Sequence, residues 1–517
     1  MSRQAEAILE KNLIDQLKSQ DYEAVTIHDE KALLSNLKTQ LETYNNIQLS
    51  DKEFAAVTNH LSKGNVFLKA KTLRDRFQFN RDNGESVWIG FFNSEEWNKN
   101  LFQVTNQITI DGVYKNRYDV TLLINGIPLV QIELKRRGLE LKEAFNQVNR
   151  YHRHSFWANA ALFQYVQIFV ISNGVNTKYY VNNKKQSFKQ TFFWADVHNR
   201  NITELSKFTT SFLNQDHLGK MIAQYIVLNE TYKILMVLRP YQYFATEAII
   251  AHVREQRPGN GYIWHTTGSG KTLTSFKASQ IIMDMPGVHK VVFVVDRKDL
   301  DYQTIKEFNS FRKGSVDGTD RTKVLIDQFL DRYVDKSGEA KHTKLIVTTI
   351  QKLNHAIQKQ KYLSKMEGLK DKRMVFIFDE CHRSQFGDTH KRIISFFENY
   401  QMFGFTGTPI FADNAHKNIL GKRTTKDLFG TRLHEYTLVN AIKDENVLKF
   451  KIEYIGRYRQ SGNTIIDIDV EDIDTREVLD SPDRLEKIVD YMIQYHDQKT
   501  HNRAYSALFA VSSIDNL

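Results

Sequence analysis

The chain has 517 residues, 41% hydrophobic and 26% charged, with a formal net charge of +10. That length exceeds a single core and points to roughly two to four domains, while six prolines argue against long disordered linkers. The N-terminus has no apolar signal core, no stretch of about 18 apolar residues marks a membrane span, and the lone Cys381 excludes an internal disulfide or a cysteine-rich zinc site. A cytosolic protein with no membrane attachment is expected. The positive balance suits a polyanion such as nucleic acid, although dispersed surface charge would give the same number.

Residues 5–20 place Ile8, Leu9, Leu13 and Leu17 at helical spacing, and 30–62 continue as helix. Strands follow at Val120–Ile124 and Leu129–Leu134 around the turn Asn125-Gly126, then a polar helix near 139–155 and a buried strand at Val166–Ile171. This predicts a mixed α/β domain over 1–200, followed by a helical connector over 201–236. Between 237 and 445 short apolar strands (Val291–Val295, Leu345–Val347, Val375–Phe378, Met402–Phe405) alternate with helices, the pattern of a doubly wound parallel sheet. From 446 a strand at Leu448–Ile455, a helix near 483–497 and a strand at Ala507–Val511 are expected to begin a further unit. No internal repeat or low-complexity tract interrupts the chain.

The run Gly261-Tyr-Ile-Trp-His265-Thr266-Thr267-Gly268-Ser269-Gly270-Lys271-Thr272 reads as a strand feeding a phosphate-binding loop. Gly268 and Gly270 let backbone N–H groups turn toward a polyphosphate, Lys271 supplies charge for the β and γ phosphates, and the Thr272 hydroxyl reaches Mg²⁺ at the helix start. His265 occupies the place of the first glycine in the usual G-x-x-x-x-G-K-[ST] pattern. Downstream, Val375-Phe-Ile-Phe-Asp379-Glu380 ends a buried strand in two carboxylates: Asp379 for the Mg²⁺ shell and Glu380 for the attacking water. Thr406-Gly407-Thr408-Pro409 follows a third strand, where small hydroxyl residues can couple nucleotide state to movement. Upstream, Arg239-Pro240-Tyr241-Gln242 offers an amide that matches the adenine edge, with Arg239 beside it.

A second cluster is Asn116-Arg-Tyr-Asp119 and Val130-Gln-Ile-Glu133-Leu-Lys135. A hairpin turning at Asn125-Gly126 brings Asp119 and Glu133 close, and Glu133 and Lys135, two apart, share a strand face. Two carboxylates gather Mg²⁺, and the lysine orients or deprotonates water and offsets phosphate charge. An isolated E-x-K means little on an exposed edge; this one lies in the apolar run Leu129, Val130, Ile132, Leu134.

The first set of segments, in this order, resembles motifs Q, I, II and III of superfamily 2 helicases and translocases. Asp296-Arg297-Lys298 and Thr348-Thr349-Ile350-Gln351-Lys352 are similar to its Ia and Ib elements, which implies DNA-backbone contacts by Arg297, Lys298 and Lys352; a solvated basic face is the alternative for them. The second cluster resembles the PD-(D/E)xK nuclease core. Gln147-Val-Asn-Arg-Tyr151 matches the Q-x-x-x-Y element beside that core in certain restriction subunits, so Gln147 and Tyr151 contact DNA or brace the site. Glu10, in a segment similar to the first helix of that domain, is a further metal-site candidate. With Arg-Tyr-Asp-Val-Thr, Ile-Glu-Leu-Lys, Val-Val-Asp-Arg-Lys-Asp-Leu-Asp-Tyr-Gln-Thr and Gly-Phe-Thr-Gly-Thr-Pro-Ile-Phe, the whole chain resembles the restriction (R) subunit of type I restriction–modification enzymes, most like their IC group. His265 is itself similar to what that family carries.

The resemblance implies a PD-(D/E)xK nuclease domain followed by a RecA-like ATPase lobe and the start of a second lobe. It implies ATP and Mg²⁺ as cofactors. Double-stranded DNA and the modification and specificity subunits are the implied partners, with S-adenosylmethionine on those subunits. ATP-driven translocation of DNA would end in cleavage away from the recognition site. The strand expected near Ser506–Ser513 resembles the first strand of the second lobe, so an N-terminal portion carrying half a motor is expected. A stand-alone helicase with a degenerate nuclease domain, or an inactive DNA-binding remnant, are the alternatives.

Overall fold

The computed structural model describes residues 6–111, 115–154, 162–257, 259–295, 298–311, 322–334, 342–381, 386–413, 417–418, 421–422, 424–450 and 481–511. They fall into two units, Met1–Leu448 and Lys449–Leu517.

The first unit opens with three helices. Glu6–Lys18 buries Leu9, Leu13 and Leu17 at four-residue spacing. Glu30–Asn45 starts at Asp29, whose carboxylate accepts the Ala32 N–H at 2.8 Å, and Asp51–Ser62 starts with a reciprocal Ser50–Glu53 capping box. The first two lie against an eight-stranded mixed sheet in the order Glu23–Ala24, Phe102–Asp111, Lys115–Ile124, Ile127–Leu134, Ile168–Ser172, Thr177–Val181, Phe192–Ala195, Asn201–Ile202, and the third packs on the separate hairpin strand Arg76–Asn80. The expected hairpin is its centre. Asn125 and Gly126 take φ of +51° and +78°, the left-handed pair that a two-residue turn requires. A Cβ on Gly126 would stand 2.8 Å from the Leu37 backbone, so the turn is pressed against the second helix. Every residue of Ile127–Leu134 is buried. Ile127–Leu134 and Ile168–Ser172 are parallel and therefore need a crossover, which the helix Leu141–His154 supplies.

The expected helical connector is corrected in its second half. Leu205–Phe212 and Gln215–Lys220 are helical, but Ile226–Asn229 and Ile234–Val237 pair as an antiparallel hairpin. The apolar runs 226–228 and 234–237 read equally well as helix by composition; four turn residues between them let the two runs pair. An aromatic seam ties this region to the helix Pro240–Arg254: Trp194 lies edge-on to Tyr243 at 5.5 Å, and His217 packs on Phe212 and Tyr243. Asn183 exchanges two 2.9 Å hydrogen bonds with the Leu235 backbone. One buried apolar cluster runs from Leu9 through this seam to Phe405.

The second sheet is six-stranded and all parallel, ordered Leu345–Thr349, Lys290–Val295, Met374–Phe378, Tyr400–Thr406, Gly261–His265, Thr431–Tyr436. Its inner strands are near-continuous buried apolar runs, as helices on both faces demand. Parallel strands all end at one edge, and that edge carries the phosphate loop, Asp379–Glu380 and Thr406–Thr408.

In the second unit the helix Pro482–Lys499 matches expectation. The strand expected at Ala507–Val511 is absent: residues 506–511 pair with no strand among the described residues, and Leu508 is 98% exposed. A strand persists only where a neighbour satisfies its N–H and C=O groups. Residues 448–450 are likewise not strand, and the rest of the expected Leu448–Ile455 lies outside the described residues.

Candidate functional site

Strand Gly261–His265 ends at the loop 266–270, and the 12-residue helix Lys271–Ile282 begins directly after it. Gly268 and Gly270 take φ of +80° and +79°, the conformation for which glycine is needed. The loop is held from below. Tyr241 donates its hydroxyl to the Ser269 carbonyl at 2.8 Å, and Gln242 Nε2 donates to the same oxygen at 3.1 Å. Lys271 Nζ lies 3.3 Å from Glu380 Oε1, bridging the loop to the next strand but one. Asp379 is anchored through its N–H to Val294 O at 3.0 Å, and Glu380 sits at a left-handed φ of +49°, a turn that swings its carboxylate toward the lysine. The loop faces a cavity of about 810 Å³ lined by Gly268–Gly270, Gln242, Arg239, Phe192, Tyr232 and Glu307, among others. Burial, then the charge of Asp379, pushes the Glu307 carboxyl up. Thr406 is buried and accepts the Thr408 N–H at 3.1 Å, while Gly407 packs against Thr267. The buried Ser269 Oγ has no hydrogen-bond partner, and with Lys271 it fits a polyphosphate as guest.

In the eight-stranded sheet the register Val120–Ile132 sets Asp119 and Glu133 side by side. Asp119 Oδ2 accepts the Leu134 N–H at 2.8 Å. Glu133 is fully buried, and Lys135 Nζ lies 3.1 Å from its Oε1 and 2.9 Å from Leu134 O. Burial, then the neighbouring Asp119 charge, holds the Glu133 carboxyl well above the usual range, and Lys135 opposes this. Burial also raises Asp119, and Glu10 and Glu6 add to it. The second Glu133 oxygen is buried without a hydrogen-bond partner. Two acids strained toward neutrality, with one oxygen left over, fit a divalent cation.

Several expected roles change. His265 does not offer its side chain to phosphate: the imidazole is fully buried, bonded to His434 at 3.0 Å and edge-on to Tyr241. The Gln242 amide is engaged at both ends, Oε1 accepting the Arg239 N–H at 3.0 Å and Nε2 reaching the loop, so it braces the phosphate loop from the cavity wall. Arg239 hydrogen-bonds Asn446 and lies over the Phe192 ring. Tyr151 is buried with its hydroxyl on Arg117 O at 3.0 Å and accepts from half-buried Gln147, an arrangement that braces the strand beside Asp119. Glu10 stands near Asp119 but is held by Asn106 and Gln107; among the described residues no group of three or more acids, histidines or cysteines is gathered for a metal. Lys352 is half-buried in the first turn of Ile350–Gln358. Arg297 lies outside the described residues, and of Lys298 only its place at the start of a helix is described. Sequence reasoning did not assign roles to Tyr241, Glu307, Asn106 and Gln107. Tyr241 lies inside the Arg-Pro-Tyr-Gln motif, whereas the other three carry no local signal.

Residues 3–188 match the family described as type I restriction enzyme R protein N terminus, and 241–483 match the SWI2/SNF2 ATPase family. The endonuclease subunit of a type I restriction enzyme from Staphylococcus saprophyticus is 47% identical over the whole of this chain and 54% of its own length. The chain thus spans about half of that relative. The EcoprrI endonuclease subunit of Escherichia coli is 38% identical over 49% of this chain and 83% of that protein. A Mycoplasma pneumoniae protein described as the C-terminal part of a putative type I endonuclease subunit is 45% identical over 40% of this chain and 99% of its own length. This chain belongs to the family of type I restriction enzyme endonuclease subunits.

Proposed function

We propose that the chain supplies the motor and the nuclease of a type I restriction enzyme, coupling ATP hydrolysis and double-stranded DNA translocation to Mg²⁺-dependent cleavage away from the recognition site. The observation that carries this reading is the presence, on one chain, of a braced phosphate loop whose Lys271 meets Glu380 and of a buried Asp119–Glu133–Lys135 cluster. In this reading 1–200 is a PD-(D/E)xK nuclease domain, 201–236 a connector, 237–445 a RecA-like lobe, and 446–517 the start of a second. The work takes place in the cytosol, and the partners are DNA and the modification and specificity subunits, which bind S-adenosylmethionine.

In the motor, loop N–H groups and Lys271 hold the β and γ phosphates, Thr272 and Asp379 hold Mg²⁺, and Glu380 orients the attacking water once the phosphate draws Lys271 away from it. Thr406 and Thr408, on the adjoining strand end, register that change. Arg297, Lys298 and Lys352 track the DNA backbone. In the nuclease, Asp119 and Glu133 hold Mg²⁺, which polarises the scissile phosphate when bound. Lys135 neutralises charge accumulating on that phosphate and holds the water for attack. Gln147 and Tyr151 keep the hairpin end in place.

The test is a complex reconstituted from the full-length protein and its partner subunits. Asp119→Ala or Lys135→Ala abolishes cutting but spares ATP-driven translocation, whereas Lys271→Ala abolishes both. Cutting by the Asp119 variant would place the nuclease elsewhere.

A further inference from the structure

Strand Phe102–Asp111 pairs Asn106 with Val120 and Ile108 with Tyr118, which sets Gln107 opposite Asp119. In a regular strand the side chains of Asn106 and Gln107 would point to opposite faces. Gln107 instead takes φ of +55°, a left-handed conformation that costs a long L side chain and that glycine or asparagine would fill more easily. The consequence is that both amides reach one carboxylate. Asn106 Nδ2 donates to Glu10 Oε1, and Gln107 Nε2 donates to Glu10 Oε2 at 2.5 Å. Each Glu10 oxygen therefore keeps a lone pair, and its direction is fixed from the strand that borders Asp119. Gln107 Oε1 is itself buried and accepts no hydrogen bond. A buried amide oxygen without a donor is uncommon enough to need a reason.

We propose that Gln107 is a positioning residue of the nuclease site: its left-handed backbone clamps Glu10 beside Asp119 and leaves Gln107 Oε1 as a neutral, unpartnered acceptor next to that carboxylate. This inference rests on the proposed nuclease function, in which Asp119 and Glu133 are the direct ligands. Divalent magnesium and manganese keep several waters, and those waters need acceptors arranged around them. A clamped carboxylate and a spare amide oxygen provide such acceptors without adding a third ligand. Nothing local in the sequence requires glutamine in a left-handed position; glycine would relieve the backbone and lose only the amide. The backbone cost is thus tied to the side chain, as strain at functional sites commonly is.

The 517-residue chain is titrated with Mn²⁺ alone, without nucleotide, and the component lost in Asp119→Ala is taken as the nuclease site. Gln107→Gly is expected to weaken that component roughly tenfold, while its thermal unfolding temperature stays the same or rises because glycine accepts the conformation freely. A merely structural role predicts the reverse, unchanged affinity with altered stability, and that result overturns the inference. Asn106→Ala leaves the backbone at 107 untouched and is expected to weaken Mn²⁺ as well; it serves if the glycine variant does not fold, and unchanged affinity in it is equally fatal. If Asp119→Ala itself leaves Mn²⁺ binding intact, the nuclease reading fails, and this inference with it.

Discussion

His265 stands where a common phosphate loop has glycine, and its imidazole is a core group bonded to His434 between Tyr241 and Tyr436. Restoring the consensus should therefore harm the protein. His265→Gly removes a buried ring, leaves a cavity and strands the His434 nitrogen, so a loss of about 3 kcal/mol is expected in urea unfolding, with no gain in ATP affinity by calorimetry. Tyr241→Phe is a gentler test. It deletes one buried 2.8 Å hydrogen bond to the Ser269 carbonyl, which should cost about 1 kcal/mol and loosen the loop, seen as weaker ATP binding. Much of this site was legible in the sequence because its signals are local: Gly268 and Gly270 announce left-handed turns, and Asp379–Glu380 end an unmistakable buried strand. What Gln242 and His265 bond to was not legible, since an amide or an imidazole shows no partner until distant strands are packed around it.

The hairpin Lys115–Ile124/Ile127–Leu134 is the element on which the Asp119–Glu133–Lys135 cluster depends. Its turn is tied down by Asn125, which donates to Phe91 O at 3.0 Å and Asn100 Oδ1 at 2.8 Å and accepts the Leu101 N–H at 2.8 Å. Asn125→Ala loses two buried hydrogen bonds, a third that is part-buried, and the residue type that tolerates a positive φ, so about 3 kcal/mol of stability should go. Asp119 and Glu133 should also lose their register, which a fall in Mn²⁺ affinity would report. Asn-Gly between alternating apolar runs made this element readable in advance. The hairpin Ile226–Val237 was not, because runs as short as Ile226–Leu228 carry no period that separates strand from helix. Gln107 was unreadable for a different reason: a strained residue that is not glycine leaves no mark in composition.

Across the molecule, burial holds His217, His265 and His434 neutral. Buried among aromatic rings, His217 is pushed down to about 3, and burial, with a smaller push from His198, takes His434 down to about 4. Unfolding releases both to about 6.5, so the unfolded chain binds more protons below that value. Their contribution is fully present above pH 6.5 and is lost as pH falls through 6.5 toward 4 and 3. For His217 the loss approaches about 5 kcal/mol at the acid end, and the midpoint of urea unfolding should drop steeply below pH 6. His217→Phe, apolar and of similar bulk, should flatten that slope. His217 also lies on the aromatic seam of Trp194, Phe212 and Tyr243, and there the portions built on the eight-stranded and the six-stranded sheet share one interior. A chain severed in the interval 200–240 would expose those ring faces on both pieces and should give two insoluble halves rather than two working modules. Trading segments with a relative at that point would require ring faces that match on both sides, so a chimera joined there is expected to fold only if the partner segment brings the same aromatic packing.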